Sequence, residues 1–113
     1  MSCVSICRCT IFTLTSLALA CPGHADAEDF SAGTLMQKMP AEQRAPYIAG
    51  IIEGLAYARF TQDGKKTDGM KCIYDWFYKK PDNLNLIYAA MGQYPTYTPG
   101  AIIGALVKKD CGA

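Results

Sequence analysis

The chain has 113 residues, with 11 Lys and Arg against 10 Asp and Glu, and a formal net charge of +1. This length suits one small domain. So even a charge balance gives no electrostatic footprint for nucleic acid and no basic stripe for anionic lipid, which excludes both as expected partners.

Residues 1–25 have the three parts of an export signal. Met1 to Arg8 is a short leading region, and Arg8 is the only Lys or Arg before Lys38. An apolar run follows from Cys9 to Ala20, built on Ile11, Phe12, Leu14, Leu17 and Leu19. Pro22 and Gly23 then break it, and Gly23-His24-Ala25 permits cleavage after Ala25, as Ala25-Asp26-Ala27 does after Ala27. A permanent transmembrane helix needs roughly 20 apolar residues, so no stable membrane span is expected. The expected location is the periplasm or the exterior. Ala18-Leu19-Ala20-Cys21 loosely resembles a lipoprotein processing site, so anchoring through a lipid on Cys21 is the alternative.

Cleavage removes His24 and four of the six cysteines and leaves residues 28–113 as a single domain. Cys72 and Cys111 remain. In an oxidising compartment such a pair in a small domain forms a structural disulfide. Closing a loop of about 40 residues stabilises by roughly 4 kcal/mol on the chain-entropy model. A metal pair and a redox pair are the competing readings. Two cysteines without histidine do not fill a tetrahedral zinc site, and the spacing is unlike C-x-x-C. Neither a metal nor a cofactor is expected.

In chain order, Ser31 caps a brief helix through Leu35, Met36 and Met39, stopped by Pro40. A second helix starts at Pro40 to Arg44, with a break or kink expected at Ala45 because Pro46 follows. Ile48, Ile51, Ile52 and Leu55 then recur at helical spacing. Gly50, Gly54 and Ala58 fall four apart, and each glycine costs a helix about 1 kcal/mol against alanine. A close crossing by another helix is the expected reason for that stripe. Gln62 to Gly69 has the composition of a flexible surface loop. Met70 to Lys79 is helical, with Ile73, Trp76 and Phe77 on one face. Asp82 or Asn83 caps a helix through Leu84, Ile87, Tyr88 and Met91. Thr98-Pro99 opens the last helix, through Ile102, Ile103, Leu106 and Val107, with Lys108 and Lys109 at its negative end. Nothing alternates with period two for long. The fold expected is all-α, one small domain of four or five short helices with one disulfide.

Catalytic constellations are nearly lacking. Without His24 the commonest general base is gone, and no Ser follows Ser31. Glu53, Asp75 and Asp110 read as solvated helix charges rather than acids in a cleft. An enzyme is not expected. Aromatic content is the stronger feature, with seven Tyr and one Trp. Tyr74 and Tyr78 lie four apart on a face distinct from Trp76, and Tyr94 and Tyr97 flank Pro95. Exposed tyrosines of this kind suit protein interfaces, so these four are the candidate partner-binding residues; packing against neighbouring loops is the other reading.

The run Tyr47-Ile48-Ala49-Gly50-Ile51-Ile52-Glu53-Gly54-Leu55, followed by Cys72 and a proline-started helix ending near Cys111, resembles the Rap/Tai-type immunity proteins and their HdeA-like relatives. These are small helical proteins of the Gram-negative periplasm. The likeness runs from about Leu35 to Cys111 and marks a scaffold through Tyr47, Gly50, Glu53 and Gly54. One departure is plain: Met36, Met39 and Pro46 stand where immunity proteins often carry a further cysteine, so one bridge is available. The resemblance implies a non-enzymatic protein-binding role, neutralising a secreted toxin. The alternative it carries is an acid-stress chaperone that holds unfolded clients. The expected partner is another protein, with a second copy of this chain as a further candidate.

Overall fold

A computed structural model describes residues 30–112. The expected signal peptide, its cleavage after Ala25 or Ala27 and the Cys21 anchor lie outside the described residues. The chain is all-α: α1 (Ala32–Lys38), α2 (Ala41–Gln62), α3 (Asp68–Tyr78), α4 (Asp82–Gln93) and α5 (Pro99–Cys111). None of these helices is long and apolar enough to cross a membrane.

Two helix starts follow directly from capping chemistry. The Ser31 side chain accepts from the Thr34 amide at 3.1 Å and opens α1. The Thr98 hydroxyl accepts from the Ala101 amide at 3.3 Å, with Pro99 at the first helical position of α5. α1 has a further anchor at its beginning. The Ala32 amide donates to the Tyr97 carbonyl at 2.8 Å and the Gly33 amide to Pro95 at 2.9 Å. Arg44 closes the other end, donating from Nη2 to the Met36 carbonyl and from Nε to that of Met39.

α2 corrects one expectation. It runs unbroken through Pro46, with no interruption at Ala45. Proline removes one ladder bond and crowds the carbonyl four residues back. Here that carbonyl belongs to Glu42 in the first turn, where the strand of helix can tilt outward. At its far end the Gly64 amide bonds to Thr61 and the Lys65 amide to Phe60, and Gly64 takes a left-handed φ of 64°. This is a Schellman stop, and glycine supplies the conformation it requires. The loop is shorter than its composition suggested, because Asp68 and Gly69 belong to α3.

The start of α4 differs as well. Neither Asp82 nor Asn83 caps it; Pro81 holds that position without a side-chain bond. Asn83 turns back instead, its Nδ2 donating to the Trp76 carbonyl at 2.7 Å near the end of α3.

Each helix contributes to one core: Leu35 from α1, Ile48 and Ile52 from α2, Ile73 and Trp76 from α3, Ile87 and Met91 from α4, and Ile103 and Val107 from α5. Burying side chains of this size stabilises by about 1.5–3 kcal/mol each, before the entropy of ordering is counted. α2 packs most extensively on α3, α3 and α4 both touch α5, and α1 lies against α4. Cys72 and Cys111 are bonded with Cα atoms 5.8 Å apart, tying α3 to the end of α5, the pairing expected from the sequence.

Candidate functional site

The four candidate tyrosines separate into two assemblies. Tyr74 and Tyr78 project from α3 toward α2. The Tyr74 hydroxyl donates to Glu53 Oε2 at 2.8 Å and the Tyr78 hydroxyl to Glu53 Oε1 at 2.9 Å. These bonds to a carboxylate favour the protonated phenols and push both pKa values up from the ordinary tyrosine value, with a smaller contribution from burial. The rings lie 6.2 Å apart with a 33° tilt, and Phe77 meets Tyr78 edge-on at 5.0 Å. Glu53, read in the sequence as a solvated charge, is exposed yet fixed in place.

Tyr94 and Tyr97 sit in the loop between α4 and α5. Their rings meet edge-on at 6.1 Å, and they remain 48% and 59% exposed. Below them is an open groove of about 310 Å³ between the two helices. Ala90 lines it from α4, and Ala101, Ile102, Ala105 and Leu106 line it from α5. Alanine creates the hollow: Ala101 and Ala105 are one turn apart on the outer side of α5, where longer side chains would fill the space. Apart from the two phenols the lining side chains are aliphatic, so the groove suits apolar side chains rather than a charged ligand.

The glycine stripe requires a correction. A Cβ added at Gly50 or Gly54 would meet nothing within 4 Å, so no helix crosses there among the described residues. Helical geometry explains it. The core face of α2 is set by Ile48, Ile52 and Ala56, and two positions further along the chain is a rotation of about 200°. That rotation carries Gly50 and Gly54 to the outside. Tyr47 does pack against the core, meets the Phe30 ring at 5.5 Å with a 58° tilt, and has its pKa raised by burial.

Three polar contacts, Trp76 to Asp110 and Arg59 to Cys111 and to Gly112, escaped sequence reasoning because their partners are remote along the chain. Trp76 is 2% exposed and donates from Nε1 to Asp110 at 2.7 Å. Arg59 pairs with Asp63 at 2.8 Å and donates from Nη1 to the carbonyls of Cys111 and Gly112, sealing the end of α5. Gly69 is buried beneath this pair: a Cβ there would lie 2.7 Å from Arg59 Cγ and 2.5 Å from Asp63 Oδ2. A glycine at the first turn of a helix, after a charged loop, was the one available signal. Among the described residues no group of three or more His, Cys, Asp and Glu converges as a metal site would require.

Comparison with protein-family models, with curated proteins and with solved structures finds no match to this chain.

Proposed function

We propose that the chain is an exported, non-enzymatic protein-binding module of the Rap/Tai immunity-like kind, which seats aliphatic side chains of a partner protein in the α4–α5 groove. One observation carries the reading: an apolar hollow overhung by two tyrosines that the fold leaves half exposed. Tyrosine buries ring area while its hydroxyl stays wet, the balance that interface positions favour. Leaving catalysis aside rests on the sequence: no His follows His24 and no Ser follows Ser31, so beyond the expected signal the commonest general base and a serine nucleophile are missing.

The acid-stress chaperone reading has one observation in its favour. Glu53 and Asp110 fasten α3 to α2 and to α5, so the bonds that hold these helices together end on carboxylate oxygens.

A pull-down from periplasmic extract with the disulfide-bonded protein tests the first reading. A partner retained by the wild type and lost with Tyr94→Ala/Tyr97→Ala, at unchanged thermal stability, is the expected result. No retained partner, or equal retention by the variant, overturns it. Hydrophobic-dye binding on acidification, together with protection of an aggregating client, would transfer the assignment to the chaperone.

A further inference from the structure

We propose that Glu53, held between Tyr74 and Tyr78, is a receptor for an arginine side chain of the partner protein. This inference rests on the protein-binding reading and assigns a second contact, distinct from the groove.

The first argument is electrostatic. Among the described residues the ion pairs are Arg59–Asp63 and Lys79–Asp75. Glu53 belongs to neither, so among the described residues its exposed carboxylate has no cationic side chain within ion-pair distance. The two phenols that bond to it are neutral and leave that charge intact.

The second argument is geometric. A glutamate on a helix surface ordinarily samples several rotamers, and ordering it on binding costs entropy. Here each carboxylate oxygen already accepts one hydroxyl, Oε2 from Tyr74 and Oε1 from Tyr78. The group is therefore oriented before a partner arrives. An ionised carboxylate offers about four acceptor positions, so roughly one on each oxygen remains open. Two acceptors side by side match the forked N–H donors of a guanidinium better than the point charge of a lysine.

Third, the surroundings suit a planar cation. The Tyr74 and Tyr78 rings are tilted by 33°, and Phe77 braces Tyr78 from its edge. Aromatic surface next to a carboxylate supports guanidinium stacking. Gly50 and Gly54 lie near Glu53 on α2 with open space above them, so an approaching chain meets no side chain there. Two glycines that weaken the helix, and whose added Cβ would touch nothing among the described residues, thereby gain a reason: they keep the carboxylate clear.

The test is a two-dimensional NMR titration of the oxidised protein with acetyl-arginine amide, its uncharged citrulline isostere, and acetyl-lysine amide. Shifts centred on Glu53, Gly54, Tyr74 and Tyr78 are expected with arginine, weaker ones with lysine and none with citrulline. Glu53→Gln should bind arginine about fivefold more weakly, the scale of one well-oriented surface pair. Tyr74→Phe/Tyr78→Phe keeps the charge but frees the carboxylate, and should erase the preference for arginine over lysine. Equal shifts from citrulline, undiminished binding in Glu53→Gln, or shifts spread evenly over Glu42, Asp68 and Asp82 would overturn the inference. A partner captured equally by wild type and Glu53→Gln, yet lost with the groove variant, would remove Glu53 from the interface and leave the module standing.

Discussion

The two halves of α5 are held by different chemistry. Around its C-terminal half the contacts are directional: the Cys72–Cys111 bond, the Arg59 donors on the last carbonyls, and the Trp76 indole on Asp110. Around its N-terminal half the contacts are apolar, and the space beside Ala101 and Ala105 stays empty. The contrast teaches a division of labour. Bonds with fixed geometry define the position of the helix at one end, which leaves the other end free to present an unfilled surface without loosening the fold.

Substituting Cys72 and Cys111 together by Ser is the hardest blow to this arrangement. Releasing the closed loop should cost about 4 kcal/mol in urea unfolding, and a loss below about 1 kcal/mol would show that the polar contacts suffice without it. Gly69→Ala comes next. Its added methyl meets Arg59 and Asp63, which are already committed, so we expect a loss of about 2 kcal/mol by overpacking. A neutral result would mean that Arg59 can move off the end of α5 freely. Gly54→Ala has the opposite sign, because its Cβ enters open space; thermal unfolding should show a gain of about 1 kcal/mol.

The smallest effect concerns pH. Both Tyr74 and Tyr78 have pKa values raised in the folded state, first by their bonds to Glu53. The folded protein then binds more protons than the unfolded chain in that range, so stability falls as pH rises. The contribution is complete below the unfolded tyrosine value of about 10 and is lost above it as the folded phenols ionise. Thermal midpoints of wild type and Tyr74→Phe/Tyr78→Phe should therefore converge as the pH rises through this alkaline range; a constant difference would separate the bonds from the shift.

Local signals were legible in the sequence and remote ones were not. Ser31, Thr98 and Pro99 act within one helical turn, so composition alone located two helix starts. The cysteine pair was readable because Cys72 and Cys111 are the two cysteines that follow Cys21. By contrast Glu53 meets Tyr74 and Tyr78 across 21 and 25 residues, and Arg59 meets Cys111 across 52. No spacing rule encodes such meetings. Pro46 misled because the carbonyl it crowds, that of Glu42, lies in the first turn of α2, where the backbone can give way. Gly50 and Gly54 misled because regular spacing gives a stripe but not the direction it faces. The groove was half visible: Tyr94 and Tyr97 stood out, but the alanines that hollow it are the least conspicuous side chains in the chain.

The amides of Ala32 and Gly33 have a consequence for watching this surface at work. Helices ordinarily leave their first amides without protein acceptors, and here the acceptors are Tyr97 and Pro95, in the stretch that carries the groove's aromatic rim. Deuterium uptake at those two positions thus gauges whether the rim has moved: an occupant that slides in beneath it preserves their protection, and one that prises it outward exposes them while the rest of α1 stays slow.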